Sequence, residues 1–344
     1  MTARTRKPTM FDVARESQVS QATVSLVLNG VAGVRVSEAT RQRIIETAER
    51  LDYKRSSRVR ADWRDGASIG LVIDDLMASP FAVNFMEGAR EAAWEEECVV
   101  EVISTRNNQP MEQAAIQAML QRPVAGIIYA TLFTREVTAP VVPPDIPLVL
   151  LNCYDPRGEQ DSILPDDRGA AKALVGAMVN AGHRRIAHLA GETFLDGGRD
   201  RLLGYREALE AGGIAVDPDL VLHQGSAISD AYASTCALLD SADPPTAIFC
   251  FNDRMALAAY EAARDRDVSV PRDLSIAGFD NDPLVTAFFP NLMTAVLPHE
   301  AMARQAVRRI LERRRGKPAA PRREVLDCQI LRRRSVARPK APTK

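Results

Sequence analysis

IGLVI, residues 69–73, is a short aliphatic run that precedes an amphipathic stretch, residues 81–97. The same alternation repeats in two series. The apolar runs recur about every 25 to 30 residues, which is the spacing that right-handed crossovers between parallel strands require. Two such series predict an α/β protein with two doubly wound parallel-sheet lobes. The predicted strands are Ile69–Ile73, Val99–Ile103, Gly126–Tyr129, Leu148–Leu151, Arg185–Ala190, Leu220–His223, Ala247–Phe251 and Leu274–Phe279.

Amphipathic stretches between these runs predict the crossover helices. Ligands of doubly wound sheets bind beyond the carboxyl ends of the strands, so two facing lobes predict a cleft between them. The predicted helices are Phe81–Glu97, Met111–Gln121, Arg199–Ala211, Ser229–Asp240 and Asp253–Arg264. The Arg/Pro-rich end, residues 313–344, is expected to be partly frayed, with Arg313 to Arg315 ending a helix, where cations suit the helix dipole.

The first 55 residues read as a small all-α head of three short helices. Thr9 with Asp12 has the form of a capping box and opens the first helix. Ser20 is a plausible N-cap for a second helix over residues 21–28, and Asn29 with Gly30 stops it. Ser37 caps the third helix. A tight turn between the first two helices makes a helix-turn-helix candidate.

The second helix presents small polar side chains of the kind that read DNA. Gln21 can pair bidentately with adenine, while Thr23 and Ser25 can reach phosphates. Ala22 and Leu26 offer only apolar contact, for example to a thymine methyl group. The alternative is a small helical packing module in which Gln21 and Ser25 are merely solvated.

The charge is strongly uneven along the 344 residues, although the net charge is only −1. Counting Lys and Arg against Asp and Glu, residues 1–66 carry +5, residues 67–303 carry −18 and residues 304–344 carry +12. Basic ends on an acidic body indicate a polyanion as the partner of the ends. A minor DNA contact by the basic tail is one interpretation.

Several classes of protein are disfavoured by what the sequence lacks. No apolar run approaches a membrane span, and the N-terminus has no apolar signal region, so a cytoplasmic location is expected. The five cysteines are scattered, and the four histidines lack metal spacing. No phosphate-loop, nucleophile-elbow or zinc-protease motif occurs. We therefore expect no metal, no cofactor, no membrane association and no enzymatic activity.

Specific motifs resemble the head of the lactose/galactose repressor family (LacI/GalR): Pro8–Arg15, Val19–Gly30, Val36–Arg41 and Leu51–Tyr53. In that family the base-reading positions correspond here to Gln21, Ala22 and Leu26. Leu26 departs from the common arginine, so one bidentate guanine contact is lost and the operator should differ. The resemblance implies DNA contacts at Thr9, Ser20, Gln21, Ala22, Thr23, Ser25, Leu26, Asn29, Ser37, Tyr53, Ser57 and Trp63.

The linker after the head departs from the family pattern. The family usually has a hinge helix whose leucine wedges into the minor groove. A direct count from Tyr53 places Asp62 at the wedge, where a carboxylate would face phosphates. A slip of one residue places Trp63 there, with Val59 on the same helix face. The alternative for Trp63 is ordinary packing against the lobes.

The resemblance continues through the body to about Val336 and implies an effector cleft. Matching positions place Phe81, Asp166, Arg201, Asn252 and Asp280 in it. Arg, Asn and Asp offer directional donors and acceptors, and Phe81 gives an apolar wall. The alternatives are structural: Arg201 pairs with Asp200 or Asp196 at the surface, Asn252 caps a helix, and Asp280 caps a turn. Replacing Arg201 or Asp280 by Ala is expected to remove the effector response without unfolding.

One position argues against an ordinary sugar as the effector. Many relatives carry an aromatic platform after the strand near His223, whereas this chain has Gly225, Ser226 and Ala227. A stacked pyranose ring would lose its partner. The effector is therefore expected to be a small polar metabolite, either a sugar or a smaller or non-sugar compound.

The resemblance implies a ligand-responsive repressor that binds a near-palindromic operator in double-stranded DNA as a homodimer. A solute-binding protein without DNA function is the alternative, but it would need a secretory signal and would have no helix-turn-helix, and the sequence opposes it on both points. An enzyme on the same lobes would need a convergent catalytic set, which the sequence does not offer. No leucine heptads occur near the C-terminus, so a coiled-coil tetramer is not expected. The expected organisation is a head at 1–55, a hinge at 56–66, an N-terminal lobe at 67–163 and 297–325, a C-terminal lobe at 164–296 and 326–336, and a flexible tail at 337–344.

Overall fold

A computed structural model describes residues 10–20, 23–24, 27, 36–51, 68–76, 81–192, 194–223, 225, 228–316 and 320–340. The chain divides into two compact units, Met1–Asp65 and Gly66–Lys344. The smaller unit contains the predicted head and the larger one contains the predicted lobes. Among the described residues, no helix has both the length and the apolar character needed to span a membrane.

The head is built from helices around a small apolar core. Helix α1 is Met10–Ser17 and helix α2 is Glu38–Arg50, while residues 23, 24 and 27 are also helical. Burying apolar side chains from all three segments removes them from water, which is the main stabilising term for so small a unit. The core consists of Val13, Ala14, Val24, Val27, Ile44 and Ala48.

Two polar contacts outside this core also join the helices of the head. The Arg43 Nε–H donates to the Ser17 carbonyl oxygen over 3.2 Å. Arg50 forms an ion pair with Glu16 over 2.9 Å. The first contact ties α2 to the last residue of α1, and the second joins the same two helices through side chains.

A six-stranded, all-parallel sheet forms the centre of the first lobe. Its spatial order is β11-β5-β4-β3-β1-β2. Continuous aliphatic runs suit this position, because a parallel sheet is covered by helices on both faces; every residue of β1 is buried. The strands are β1 Ser68–Ile73, β2 Val99–Ser104, β3 Val124–Glu136, β4 Leu148–Tyr154, β5 Asp161–Pro165 and β11 Arg323–Leu326, and the helices of this lobe are α3 Ala82–Trp94, α4 Gln109–Met119 and α10 His299–Arg314.

A four-stranded parallel sheet of order β7-β6-β8-β9 forms the second lobe. Beside it, β10 and β12 pair in antiparallel fashion. Its strands are β6 Ile186–Ala190, β7 Val221–His223, β8 Ala247–Cys250 and β9 Ser275–Ala277, with β10 Thr294–Val296 and β12 Gln329–Leu331. Its helices are α5 Asp167–Ala181, α6 Asp196–Ala211, α7 Ile228–Leu239, α8 Asp253–Arg264 and α9 Pro283–Phe288, with a 3₁₀ turn at Pro218–Leu220.

The chain passes between the two lobes three times. It leaves the first sheet after β5 and enters α5, whose apolar side packs in the second lobe. It returns between β10 and α10, and it crosses again between β11 and β12. Asp166 N–H donates to the Leu326 carbonyl oxygen over 2.8 Å, which joins the first crossing to the third.

The two predicted parallel-sheet lobes and the helical head are confirmed, and all eight predicted strands correspond to observed strands. The expectation of a partly frayed end after residue 313 is wrong for residues 320–340, because β11 and β12 lie in sheets. Residues beyond them also bond to the second lobe: His183 Nε2 is 2.8 Å from the Ala337 carbonyl oxygen. Much of the tail's basic charge is paired within the chain, as between Arg313 and Asp161 over 2.8 Å.

Candidate functional site

Three of the predicted DNA-contacting residues are described, and all three hydroxyls lie at helix starts. Ser20 Oγ accepts a hydrogen bond from the Thr23 backbone N–H over 3.1 Å and lies 2.8 Å from Thr23 Oγ1. Ser37 Oγ accepts from the Thr40 N–H over 3.3 Å. The predicted caps at Ser20 and Ser37 are thus confirmed.

Ser20 and Ser37 are exposed and Thr23 is half-buried, so all three retain surface on the head. The other predicted DNA contacts lie outside the described residues, as do the wedge alternative Asp62 and two of the three residues at the missing aromatic platform. Those contacts are Thr9, Gln21, Ala22, Ser25, Leu26, Asn29, Tyr53, Ser57 and Trp63.

A cavity of about 200 Å³ lies between the lobes, beyond the carboxyl ends of strands from both sheets. It brings together four of the five predicted effector residues: Phe81, Arg201, Asn252 and Asp280. The first lobe contributes an apolar wall, and the second contributes most of the charged groups. The further lining residues are Leu132, Phe133, Thr134, Asn152, Asp167, Leu195, Gly197, Phe251, Arg254, Asp282, Leu297 and His299.

Arg201 is the buried centre of the polar side of this cavity. Its Nε–H donates to Asp167 Oδ1 over 2.8 Å and its Nη1 donates to the Phe251 carbonyl oxygen over 2.6 Å. Its guanidinium carbon lies 3.6 Å from the Phe279 ring centroid. The proposed surface pair with Asp196 or Asp200 is not what the structure has, because Arg201 points inward to Asp167.

Asp280 faces the same guanidinium, with its Oδ1 3.5 Å from Arg201 Nη1. Its backbone has a φ of +101°, an uncommon value for a residue with a side chain. Burial raises the pKa of the Asp280 carboxyl group to about 8, although Arg201 favours the charged form. The turn cap predicted for Asp280 belongs instead to Asp282, whose Oδ1 accepts from the Leu284 N–H over 2.8 Å.

Asn252 combines the two interpretations that the sequence allows. Its Oδ1 accepts from the Met255 N–H over 2.8 Å and so caps α8, while the residue also lines the cavity. The strand β8 ends two residues earlier, which places the Asn252 side chain at the sheet edge. Capping therefore fixes the side chain where a ligand can reach it.

Asp166 is the one predicted effector residue that does not line this cavity. Its Oδ1 accepts from the Gly169 N–H over 2.8 Å and caps α5. It lines an adjoining cavity of about 340 Å³, which shares Thr134 and Asp167 with the first. Asp167, the next residue, contacts Arg201 instead. The sequence feature that points to Asp167 is the pair of adjacent aspartates before a helix.

The sequence reasoning also missed Asn152 and His299. Asn152 Nδ2 donates to the Thr131 and Leu132 carbonyl oxygens over 3.0 Å each, which fixes the wall that Leu132 forms. His299 follows Leu297 at the second crossing between the lobes, and its side chain packs against Phe85 with ring centroids 4.3 Å apart. No spacing in the sequence marks either residue.

Metal binding is not supported in the part of the chain that the structure describes, since it contains no group of three or more His, Cys, Asp or Glu side chains placed to hold an ion. Among the described lining residues, Arg201 and Arg254 carry guanidinium groups, and both are paired with aspartates. The arrangement can bind and orient a small molecule through polar contacts on one side and apolar contacts on the other.

Comparisons with known proteins agree with both units. Residues 9–56 match the model of bacterial regulatory proteins of the lacI family, and residues 175–336 match a periplasmic binding protein-like domain. The chain is 30% identical to the HTH-type transcriptional regulator DegA of Bacillus subtilis over 336 residues, which is 96% of this chain and 98% of that protein. It is also 30% identical to the HTH-type transcriptional repressor CytR of Escherichia coli, over 95% of this chain and 96% of that one.

A solved structure of similar architecture is the complex of the transcriptional regulator CelR with cellobiose. It is 27% identical, with a TM-score of 0.64, and the match covers 95% of this chain and 99% of that one. All three matches extend over nearly the whole length of both this chain and the relative. This chain therefore belongs to the LacI family of DNA-binding transcriptional regulators, with a helix-turn-helix head and a periplasmic binding protein-like ligand domain.

Proposed function

We propose that this chain is a repressor that binds a near-palindromic operator as a homodimer. Its affinity for the operator falls or rises when a small metabolite enters the cavity between the lobes. The observation that carries the proposal is the cavity itself. It combines a polar wall around Arg201 with an apolar wall around Phe81 on a chain that also has a LacI-family head. The relative CytR is named a repressor, and CelR is named with cellobiose bound.

The proposed allosteric element is the set of three crossings between the lobes. The lobes are taken as residues 67–163 with 297–325 and residues 164–296 with 326–336. Asp167 lies at the first crossing and Leu297 and His299 at the second, and all three line the cavity. A ligand that contacts both walls favours one angle between the lobes. A coupling of about 1–3 kcal/mol would change operator affinity about 5- to 150-fold.

The proposed base-reading residues are Gln21, Ala22 and Leu26, with phosphate contacts from the remaining predicted residues of the head. Two heads on a dimer match two half-sites separated by about one helical turn, which gives the operator its palindromic form. Because operator DNA is the partner, we place the protein in the cytoplasm.

The proposed dimer contact includes α9. Leu284 and Phe288 lie four residues apart on this helix and are 60% and 72% exposed. Large apolar side chains that share one exposed helix face favour contact with another protein surface. A second copy of the chain is the proposed occupant, because symmetric dimers bury the same patch on both subunits.

A selection from random duplex DNA tests the DNA-binding part of the proposal. The full chain should enrich a two-fold symmetric sequence, and its affinity should fall steeply with salt because phosphate contacts release counterions. Gln21→Ala should relax the preference at one base pair per half-site while non-specific affinity is kept. Ser37→Ala is the matched control, since it should weaken binding to all sequences equally. A chain that enriches no sequence would refute the proposed function.

A further inference from the structure

The cationic groups that line the interlobe cavity are already neutralised by the protein. Arg201 is held by Asp167 and faces Asp280, and Arg254 donates to Asp282 over 2.9 Å. Three carboxyl groups thus face two guanidinium groups in the lining. A ligand phosphate or carboxylate would have to compete with Asp167 and Asp280 for Arg201.

The six-stranded-sheet side of the cavity offers mostly apolar surface and side chains whose hydrogen bonds are already made. Phe81, Leu132 and Phe133 are apolar. Asn152 Nδ2 donates to two carbonyl oxygens, and Asn152 Oδ1 accepts from Thr134 Oγ1 over 2.7 Å. Neither side chain has a hydrogen-bond donor left for a ligand, because both amide hydrogens of Asn152 and the hydroxyl hydrogen of Thr134 are already used.

His299 differs from these neighbours. The residue is 2% exposed and lines the cavity, and its buried Nδ1 atom has no hydrogen-bond partner. The ring is fixed between Phe81 and Phe85, with centroids 6.0 Å and 4.3 Å away. A buried polar group without a partner is costly, which makes such a group a feature that requires explanation.

Burial lowers the pKa of the His299 imidazole, and the nearby Arg201 guanidinium lowers it further. The imidazole is therefore neutral, and a neutral imidazole carries one donor and one acceptor nitrogen. A hydroxyl, carbonyl or amide group of a ligand supplies the missing hydrogen bond. Neither the neutral ring nor its two phenyl neighbours supplies a positive charge that would balance a phosphate or carboxylate on the ligand.

We infer that His299 determines effector specificity by giving the six-stranded-sheet lobe its hydrogen bond to an uncharged ligand whose apolar face lies on Phe81. The inference rests on the proposed function, because it assigns the chemistry of the ligand in the same cavity. Arg201 and Asn252 line the cavity from the other lobe and contact the ligand from that side. A ligand that meets His299 as well spans both walls, which is what coupling between the lobes requires.

The test uses the full chain and three matched pairs of compounds at 1 mM: ribose and ribose 5-phosphate, glucose and glucose 6-phosphate, and adenosine and adenosine 5′-monophosphate. Thermal shifts should appear with an uncharged member and be smaller or absent with its phosphate. Calorimetric titration then compares variants. His299→Phe keeps the ring packing and should weaken binding about fivefold to tenfold, while His299→Gln should restore most of it.

His188→Phe is the matched control, because His188 is also buried, stacks on Phe249 and has an unpartnered Nε2, but it does not line the cavity. The His188→Phe variant should bind the uncharged compound that gives the thermal shift with the same affinity as the original chain. Without ligand, His299→Phe should melt no lower than the original chain, since it removes an unpartnered polar atom.

The inference is overturned by a shift with a phosphate alone, by no shift with any pair, by unchanged affinity in His299→Phe, or by a marked loss of ligand-free stability in that variant. The duplex selection separates these failures from failure of the proposed function. A chain that enriches a palindrome but fails these measurements remains a repressor with a different effector chemistry.

Discussion

Asp280 gives the protein a pH dependence that can be measured without a ligand. Burial raises its pKa to about 8, whereas an unfolded aspartate has its ordinary value of 3.8. Between these values the folded state holds more protons than the unfolded state, so stability falls as the pH rises. Burial likewise raises the pKa of Asp253 to about 7, so that residue adds to the fall only up to that pH.

Buried histidines act with the opposite sign, but in a lower range. Burial lowers the pKa of His188 to about 4 and that of His299 to about 3, so both are neutral in either state above pH 7. Between pH 7 and 8 the free energy of unfolding should therefore fall, by up to about 1.4 kcal/mol per pH unit from Asp280. The measurement is the urea midpoint, which should fall with it.

Asp280→Asn should flatten this slope. Asp240→Asn is the control, because Arg266 lowers the pKa of the Asp240 carboxyl group and moves its titration far below the window. It should keep the original slope. An equal slope in the original chain and in Asp280→Asn would show that the carboxyl group is ionised in the folded protein.

At the residue scale, the sequence predicts the chemical types in the cavity better than their partners. Motif positions placed Phe81, Arg201, Asn252 and Asp280, which the structure brings together. Sequence spacing gives no distance between Arg201 and Asp167, which are 34 residues apart. The expectation that Arg201→Ala leaves the fold intact does not suit this geometry, because the change would leave Asp167 buried without its cation.

Among the elements, the contact between α3 and α10 is the most constrained by a single residue. A Cβ atom on Gly88 of α3 would lie 2.2 Å from the Glu300 carbonyl oxygen at the start of α10. Backbone cannot yield as a side chain does, so Gly88→Ala should force the helices apart. It should cost about 1–3 kcal/mol, seen as a lower melting temperature.

Gly176 in the middle of α5 provides the matched control. A Cβ atom there would meet nothing within 4 Å. Gly176→Ala should raise stability by about 0.5–1 kcal/mol, because alanine loses less backbone freedom than glycine when the helix forms. If both substitutions shifted the melting temperature in the same direction, close helix packing at Gly88 would not be the cause.

Elements that lie within apolar runs are predicted from the sequence, and several short or small-residue elements outside such runs are not. β10, β11 and β12 have only three or four residues each, and β11 alternates between exposed and half-buried positions. The helix α5 is rich in alanine and glycine, so its apolar face is weakly marked even though Leu174 and Val175 are fully buried. Their places depend on contacts far along the chain, which local periodicity does not encode.

At the scale of the whole molecule, the exposed face of α9 is expected to hold two copies together. The double variant Leu284→Glu with Phe288→Glu should sediment as a monomer, because it places charges in an apolar contact. Operator affinity should then fall by on the order of 100-fold or more, since two linked heads bind far better than one. Val141→Glu is the control: Val141 is 89% exposed and lies in a loop of the first lobe. A double variant that still sediments as a dimer would place the contact elsewhere.

The C-terminal residues hold the second lobe from outside its sheet. Ser335 carries most of this contact: its N–H donates to the Asn291 carbonyl oxygen, its carbonyl oxygen accepts from the Ile276 N–H, and its Oγ accepts from the Met293 N–H over 2.7 Å. Ala337 adds a bond from its N–H to Ser275 Oγ over 3.1 Å. The end of the chain is thus a structural part of the lobe that contains Arg201.

Two truncations distinguish this role from that of a dispensable tail. A chain ending at Arg334 loses Ser335 and Ala337 and leaves the Ile276 and Met293 N–H groups unpaired, at about 1–3 kcal/mol for each buried group. It should melt well below the original chain and respond poorly to effector, because β9 supports the turn that carries Asp280. A chain ending at Lys340 keeps every one of these bonds and should melt like the original. Equal melting temperatures for the two truncations would show that the second lobe closes without Ser335, and that the lobes depend on the three crossings alone.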